Sequence, residues 1–452
     1  MTKIDRRQFL GTSAKAASAF MIVPRHVLGG SGQTAPSDKL NVAGIGVGGQ
    51  GGGDIRAMES ENVVALCDVD WERAARSFER FPEARRYKDF RIMLEKEKGL
   101  DAIVIGTPDH THAVATMASI QMGKHVYCEK PLTHTLYEAR TITEAARKAG
   151  VVTQMGNQGH AMESIRILCE WIWDGAIGNV TEVHAWTPHP VWPQGIDRPR
   201  DTPPVPDTLD WDLWLGPAPY RPYHPAYLPR LWRGWWDYGT SGLGDMGCHI
   251  FDHIVWSLKL GSPTWVEGSH SWFVPDKMTW DKPVNTETYP RASLVTYSFP
   301  AREGFPPLKL TWYDGGLMPP TPEGLAEGLK MGDTYGGALY VGDKGMILTG
   351  SHGANGLRIL PEERMQDYER PPETLPRSIG HKEEWIAACK GQGPTPGANF
   401  DYSGPMTETV LLGVLATRMG KKLYWDPDAM KFSNCPEAAP FVHKEYREGW
   451  SL

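Results

Sequence analysis

The chain has 452 residues, too many for one ordinary domain, so two are expected, and a hydrophobic fraction of 40% is enough for real cores. A net charge of −7 offers no basic footprint, which argues against nucleic acid as a partner. No apolar run reaches the roughly 18 residues that a membrane span needs. The six cysteines are scattered without a C-x-x-C pair, so neither a metal site nor a disulfide framework is expected.

In chain order, "DRRQFLGTSAKAASAFMIV" comes first, from Asp5. Arg6 and Arg7 precede Phe9 and Leu10, and a weakly apolar, Ala-rich stretch follows. This resembles a twin-arginine export signal, which passes folded proteins, and implies a periplasmic or exported protein. The alternative is the basic amphipathic start of a cytoplasmic protein. Residues 1–36 are therefore set apart as signal and linker.

"KLNVAGIGVGGQGGGDIRAM" begins at Lys39. The run Leu40 to Ile45 reads as a buried strand, and Gly46, Gly48 and Gly51 follow as G-x-G-x-x-G. A second register, Gly44-Gly46-Gly49, also fits, but the first keeps the strand intact up to the turn. Glycine permits the tight turn and close approach of backbone to a pyrophosphate, and the next helix offers its N-terminal N–H groups to that anion. "NVVALCDVD" is a second buried strand ending at Asp68, 17 residues past Gly51. An acid there accepts hydrogen bonds from ribose hydroxyls and repels a 2′-phosphate, which favours NAD over NADP. Asp70 competes for this role but lies past the expected strand end.

Strand and helix keep alternating: "DAIVIGTP", then "HTHAVATMASIQMG", then "HVYCEKP" ending at Lys130, then "LYEARTITEAARKAG" and "VVTQMGNQGH". Such alternation argues for a Rossmann-type doubly wound parallel sheet over residues 37–160, with ligands beyond the carboxyl ends of its strands. Gly46 to Gly51, Asp68, Thr107 to His112, Glu129 to Pro131 and Asn157 all fall at such ends. "ASLVTYSF", "LKLTWYDGG" and "ALYVGDKGMILTG" are later strands of a second domain, residues 161–452, and "GHKEEWIAACKG" and "MTETVLLGVLATRMGKK" are its later helices.

In "SGLGDMGCHIFDHIVWSL", from Ser241, Asp245 and His249 stand four apart and share a helix face. Asp252, three further, is placed near His249. A histidine with a carboxylate beside it can take a proton near neutral pH. A helix start with a packed histidine reads the same residues without chemistry.

Between the domains lies a Trp- and Pro-rich insert, residues 184–239. Nine of the 18 tryptophans fall between Trp171 and Trp236. Prolines exclude long helices there, and the aromatics argue against disorder. Trp faces can stack on the C–H faces of sugars while Arg233, Asp237 and Tyr238 bind hydroxyls. A packed lid or an oligomer contact is the other use of such a segment. His160 and His189 are further pocket candidates.

The glycine loop, "TPDHTHA", "CEKP" and "GDMGCHIFDH", in this order and spacing, resemble the Gfo/Idh/MocA family of sugar and cyclitol oxidoreductases. The resemblance covers nearly the whole chain after the signal. It implies a C-terminal α+β domain with a large, mostly antiparallel open sheet. It also implies that Lys130 contacts the substrate hydroxyl and nicotinamide ribose, and that Thr107, Pro108, His112 and Glu129 line the cofactor. His249 would accept the hydroxyl proton, and Asp245 would bind a neighbouring hydroxyl. The expected protein is an NAD-dependent oxidoreductase of carbohydrate hydroxyls that holds NAD tightly, as a dimer or tetramer. A redox-assisted, NAD-dependent glycosidase is the alternative, and a non-catalytic sugar-binding protein a weaker third.

Overall fold

The computed structural model describes residues 38–271, 273, 280 and 285–452. The twin-arginine segment lies outside the described residues.

The first sheet is built from β1 (Asn41–Ile45), β2 (Asn62–Cys67), β3 (Arg85–Tyr87), β4 (Ala102–Ile105), β5 (His125–Cys128) and β6 (Thr153–Met155). All pair in parallel in the order β3-β2-β1-β4-β5-β6. The chain winds outward from β1 to β3, then returns to start β4 on the other side. That reversal opens a crevice between the carboxyl ends of β1 and β4. Helices cover both faces, which is why β4, "AIVI", is buried at all four positions. Val42 and Val104 meet the helices Gly49–Arg56 and Trp71–Arg80 on one face, whereas Ile45 and Ile105 meet the other core. The short β3 was not legible in "ARRYKD", whose three strand residues are not apolar enough to register as a run.

The helix Leu136–Ala149 shows how local signals set its ends. Thr135 and Glu138 form a reciprocal capping box, and Gly150 closes the last turn at φ 66°. β5 stops at Cys128 rather than at Lys130, so Glu129 and Lys130 sit on the turn beyond the sheet edge.

The second sheet has nine strands: β7 (Val180–Trp186), β8 (Trp265–His270), β9 (Ser293–Phe299), β10 (Leu308–Tyr313), β11 (Gly337–Gly342), β12 (Gly345–Gly350), β13 (Arg358–Leu360), β14 (Lys422–Asp426) and β15 (Lys431–Phe432). β7 and β10 pair in parallel, and the other described pairs are antiparallel. β9 alternates buried and half-buried residues, as a sheet packed hard on one face requires. The helices Ser241–Leu258 and Phe400–Met419 cover it. Phe251 meets Tyr297 and Trp312 edge-on at 5.5 and 5.6 Å. The helix His381–Cys389 turns back to the first sheet and buries Trp385 against it.

The insert folds as loops around the short helix Trp211–Leu215 and the 3₁₀ turns Pro225–Tyr227 and Leu231–Gly234. Its aromatics make their own core: Trp211 stacks on Trp214 at 4.7 Å, and Tyr227 meets Trp235 edge-on at 4.9 Å. It also bonds to the turn and helix that follow β2, through Asp210 N–H to the Val69 carbonyl at 2.9 Å and Trp71 N–H to that of Thr208 at 3.2 Å. The insert therefore spans both halves of the molecule. No described helix is long and apolar enough to cross a membrane.

Candidate active site

One cavity of about 770 Å³ runs from the glycine loop to the helix Ser241–Leu258. Gly46, Gly48, Asp68, Thr107 and Pro108 line one end, and Lys130, Asp245, His249, His189 and Arg233 the other. Both sheets and the insert contribute walls.

At the first end, Gly46 has φ 74°, and a Cβ there would fall 2.7 Å from the Thr107 nitrogen. Gly51 does not line the cavity. It lets the helix Gly49–Arg56 press on the strand, since a Cβ there would stand 1.9 Å from the Gly46 carbonyl oxygen. The Asp68 carboxylate accepts from the Gly48 N–H at 3.1 Å and the Asp70 N–H at 2.9 Å. Burial raises its pKa to about 6, with the two N–H groups working against the shift. Asp70 lines the same end but spends its side chain capping the helix Trp71–Arg80. Arg73 lies over Gly48 and Gly49. The Thr107 hydroxyl is buried with no partner among the described residues. A Gly-lined turn opening a helix, a buried acid at the adjoining strand end and an orphaned hydroxyl between them fit a dinucleotide.

Glu129 lines the cavity and accepts from the Gln158 amide at 2.9 Å. Burial, reinforced by Asp54, raises its pKa to about 8. His112 does not reach the cavity, in contrast to its expected place against the cofactor. Its ring nitrogens face the carbonyls of Pro131 at 2.7 Å and Thr107 at 2.8 Å. Burial alone would lower its pKa, but Cys128, Asp109 and the Pro131 carbonyl outweigh that and raise it to about 10. The resulting imidazolium donates to both carbonyls and ties two cavity-forming turns together. Asn157 is also outside the cavity wall, fully buried.

At the second end, Asp245 is the hub. Its Oδ1 accepts from Lys130 Nζ at 2.8 Å and Arg233 Nε at 2.9 Å, and its Oδ2 lies 3.2 Å from His189 Nδ1. Lys130 Nζ also donates to the Asp245 carbonyl at 2.8 Å. Burial opposes ionisation, but Lys130, His189 and Arg233 hold this carboxyl well below the usual carboxylate range. His249, one turn on, shares the cavity face with Asp245. Burial, then Lys130 and His352, push its pKa well below the ordinary value, and its Nδ1 has no partner among the described residues. His249 is therefore a neutral imidazole at neutral pH, ready to accept a proton beside an ammonium group.

Three residues assigned to substrate lie elsewhere. His160 is buried, its Nδ1 donating to the Asp252 carboxylate at 2.8 Å and its ring stacked 4.4 Å from that of Trp256. Asp252 thus serves His160 and the Tyr402 hydroxyl, not His249. Asp237 is neutralised by Arg198 at 2.7 Å and Arg221 at 3.0 Å. Tyr238 is fully buried between His110 and Trp214. A polar residue in an aromatic-rich insert has many partners inside the insert itself, so composition alone does not separate wall from core.

Trp192 and Trp232 do line the cavity, flanking the Arg233 guanidinium at 5.8 and 4.2 Å. Tyr335 and His352 enter from the β-sheet side. No signal in "SHGANG" marked His352, because a lone histidine after a strand has no motif of its own.

Residues 40–157 match the NAD-binding Rossmann domain of the Gfo/Idh/MocA oxidoreductase family, and residues 178–269 match that family's C-terminal alpha/beta domain. The D-apiose dehydrogenase of Paraburkholderia graminis is 32% identical over 123 residues, which is 27% of this chain and 32% of that protein. The chain thus aligns with about a third of that relative's length. An inositol dehydrogenase homologue from Azotobacter vinelandii, complexed with NADH and myo-inositol, superposes with a TM-score of 0.54 at 18% identity, covering 86% of this chain and 98% of that one. An aldose-aldose oxidoreductase from Caulobacter crescentus, complexed with glycerol, gives 0.54 at 17% identity, covering 86% and 100%. At these identities the superpositions establish the fold.

Proposed function

We propose that this chain, which carries the Rossmann and C-terminal domain matches of the Gfo/Idh/MocA oxidoreductases in succession, is an NAD-dependent oxidoreductase acting on a carbohydrate hydroxyl. The observation that carries the reading is the meeting of Lys130 and Asp245 at 2.8 Å beside neutral His249, at the far end of a cavity that begins at the glycine loop. A bound nicotinamide would supply the hydride acceptor. His249 takes the hydroxyl proton, and Lys130 stabilises the alkoxide as that proton leaves. Asp245 and His189 hold a neighbouring hydroxyl, and Trp192 and Trp232 present ring faces to the sugar. The relatives that act on sugars and cyclitols support this substrate class. The test is to mix NAD-loaded protein with myo-inositol, D-apiose and methyl β-D-glucopyranoside and follow nicotinamide absorbance. Failure of every member of the panel to reduce the bound cofactor would count against the reading.

NAD is the proposed dinucleotide, because the Asp68 carboxylate faces the cavity where a 2′-phosphate would bring like charge. Asp68→Ala removes an ionic acceptor worth about 1.5–3 kcal/mol, so NAD affinity is expected to fall about 10- to 100-fold. Discrimination against NADP should relax, since Arg73 stays over the glycine turn. In the wild type, NAD affinity should weaken as pH falls through about 6 and the carboxyl protonates. Titration of both cofactors across pH tests this, and equal wild-type affinity for the two would reject the assignment.

Export through the twin-arginine route is part of the same proposal, motivated by Arg6 and Arg7 before Phe9 and Leu10. Replacing both arginines with lysine should retain the protein in the cytoplasm, as read by cell fractionation. Unchanged localisation would reject the route.

An exported enzyme has no free NAD pool to draw on, so it should keep its cofactor through gel filtration and restore it within each cycle. Sustained NADH release into solution with a single sugar and excess NAD would exclude such a closed cycle.

A further inference from the structure

The cavity holds a second histidine that hydroxyl oxidation does not use. The His352 ring lies 4.1 Å from that of His249, centroid to centroid, and both line the wall that carries Lys130. Simple dehydrogenation releases one proton, and His249 accounts for it.

The surroundings of His352 fix its tautomer. The Asp333 carboxylate accepts from the N–H groups of Tyr335 at 2.8 Å, Gly336 at 3.1 Å and Ser351 at 2.9 Å. The Ser351 hydroxyl lies 2.9 Å from both Asp333 oxygens and 2.8 Å from His352 Nδ1. A carboxylate only accepts, so the Ser351 hydroxyl donates to Asp333 and its oxygen is left to accept. His352 Nδ1 must then carry the hydrogen, and Nε2 keeps its lone pair. The ring makes no other hydrogen bond among the described residues. A histidine oriented by a hydroxyl and a fixed carboxylate, with its other nitrogen unbonded and its side chain in the cavity wall, has the arrangement of a general base.

We propose that His352 removes the hydrogen from the carbon next to the newly formed carbonyl, so that the enzyme enolises its oxidised sugar. The inference rests on the oxidoreductase reading. In the step, the C–H bond breaks and its proton passes to His352 Nε2. Its electron pair forms a C=C bond as the carbonyl pair moves onto oxygen, where the Lys130 ammonium holds the enolate. Reversal returns a proton from His352. No further oxidant or reductant is consumed. Two imidazoles in ring contact can serve neighbouring carbons of one sugar, His249 the hydroxyl and His352 the adjacent C–H. Asp333 and Ser351 are positioning residues.

The experiment uses NAD-loaded full-length protein in D2O with each panel sugar that reduces the bound cofactor. The recovered sugar is analysed by mass and NMR. The expected result is deuterium at the carbon adjacent to the oxidised one, while the oxidised carbon regains its original hydrogen from the cofactor. His352→Gln should lower this exchange at least about 100-fold relative to cofactor reduction; because His352 touches the His249 ring the readout is that ratio, and retained NAD binding shows that the protein is folded. Ser351→Ala should lower exchange with the same split. Wild-type protein that reduces its cofactor without exchange, or a His352→Gln variant that exchanges normally, would overturn the proposal. If no sugar reduces the cofactor, the oxidoreductase reading falls first and this inference with it.

Discussion

Replacing Lys130 with methionine is expected to lower kcat about 10³-fold while the protein retains its dinucleotide. The side chain is only 13% exposed and donates to both the carboxylate and the carbonyl of Asp245, so its charge is fixed at the reacting end of the cavity. Two losses combine. The alkoxide forming as the hydroxyl proton departs loses its counter-charge, and His249 loses one of the cations that depress its pKa. The second loss has a sign: without Lys130, His249 binds protons more readily, so the residual activity should require a higher pH. Lys130→Arg keeps the charge and should recover part of the rate. The measurement is single-turnover cofactor reduction against pH, with NAD binding determined separately. Near wild-type turnover in the methionine variant would place the chemistry elsewhere. A lost rate with an unmoved pH profile would remove the proposed coupling to His249.

Gly51→Ala is expected to raise the NAD dissociation constant about 100-fold, although position 51 does not line the cavity. A Cβ would stand 1.9 Å from the Gly46 carbonyl oxygen and 3.2 Å from Gly106 Cα, both backbone atoms. Neither can rotate away, so the helix must retreat from the strand and take the Gly48 and Gly49 N–H groups with it. Overpacking of this kind costs about 1–3 kcal/mol, and the upper figure corresponds to about 100-fold in affinity. Gly53→Ala is the internal control. It lies in the same helix, and its Cβ would meet nothing within 4 Å. There the substitution should stabilise the protein by about 0.5–1 kcal/mol through helix propensity, with NAD affinity unchanged. Calorimetric titration and thermal unfolding of both variants check the pair. Equal effects at the two positions would mean that close helix–strand packing does not shape the site.

Sequence by itself determined the parallel sheet apart from its short edge strand β3, because strands buried on both faces must be continuous apolar runs. "GIGVGGQGG", "ALCDVD" and "CEKP" are therefore legible as strand ends. It also determined that Asp245 and His249 share a face, since helical periodicity alone puts residues four apart together. What only the tertiary structure decided is which polar groups of the long connections face the cavity. Lys130 and Asp245 are 115 positions apart and meet because one sheet edge and one helix face are packed together. Arg233 and Asp237 are four apart in the same insert, yet one reaches Asp245 and the other is neutralised by Arg198 and Arg221. His112, set in a motif, became an internal clip, while His352, with no motif, became a cavity wall. An irregular segment has no period from which side-chain direction can be read. There the contacts each polar atom finds on folding settle its place.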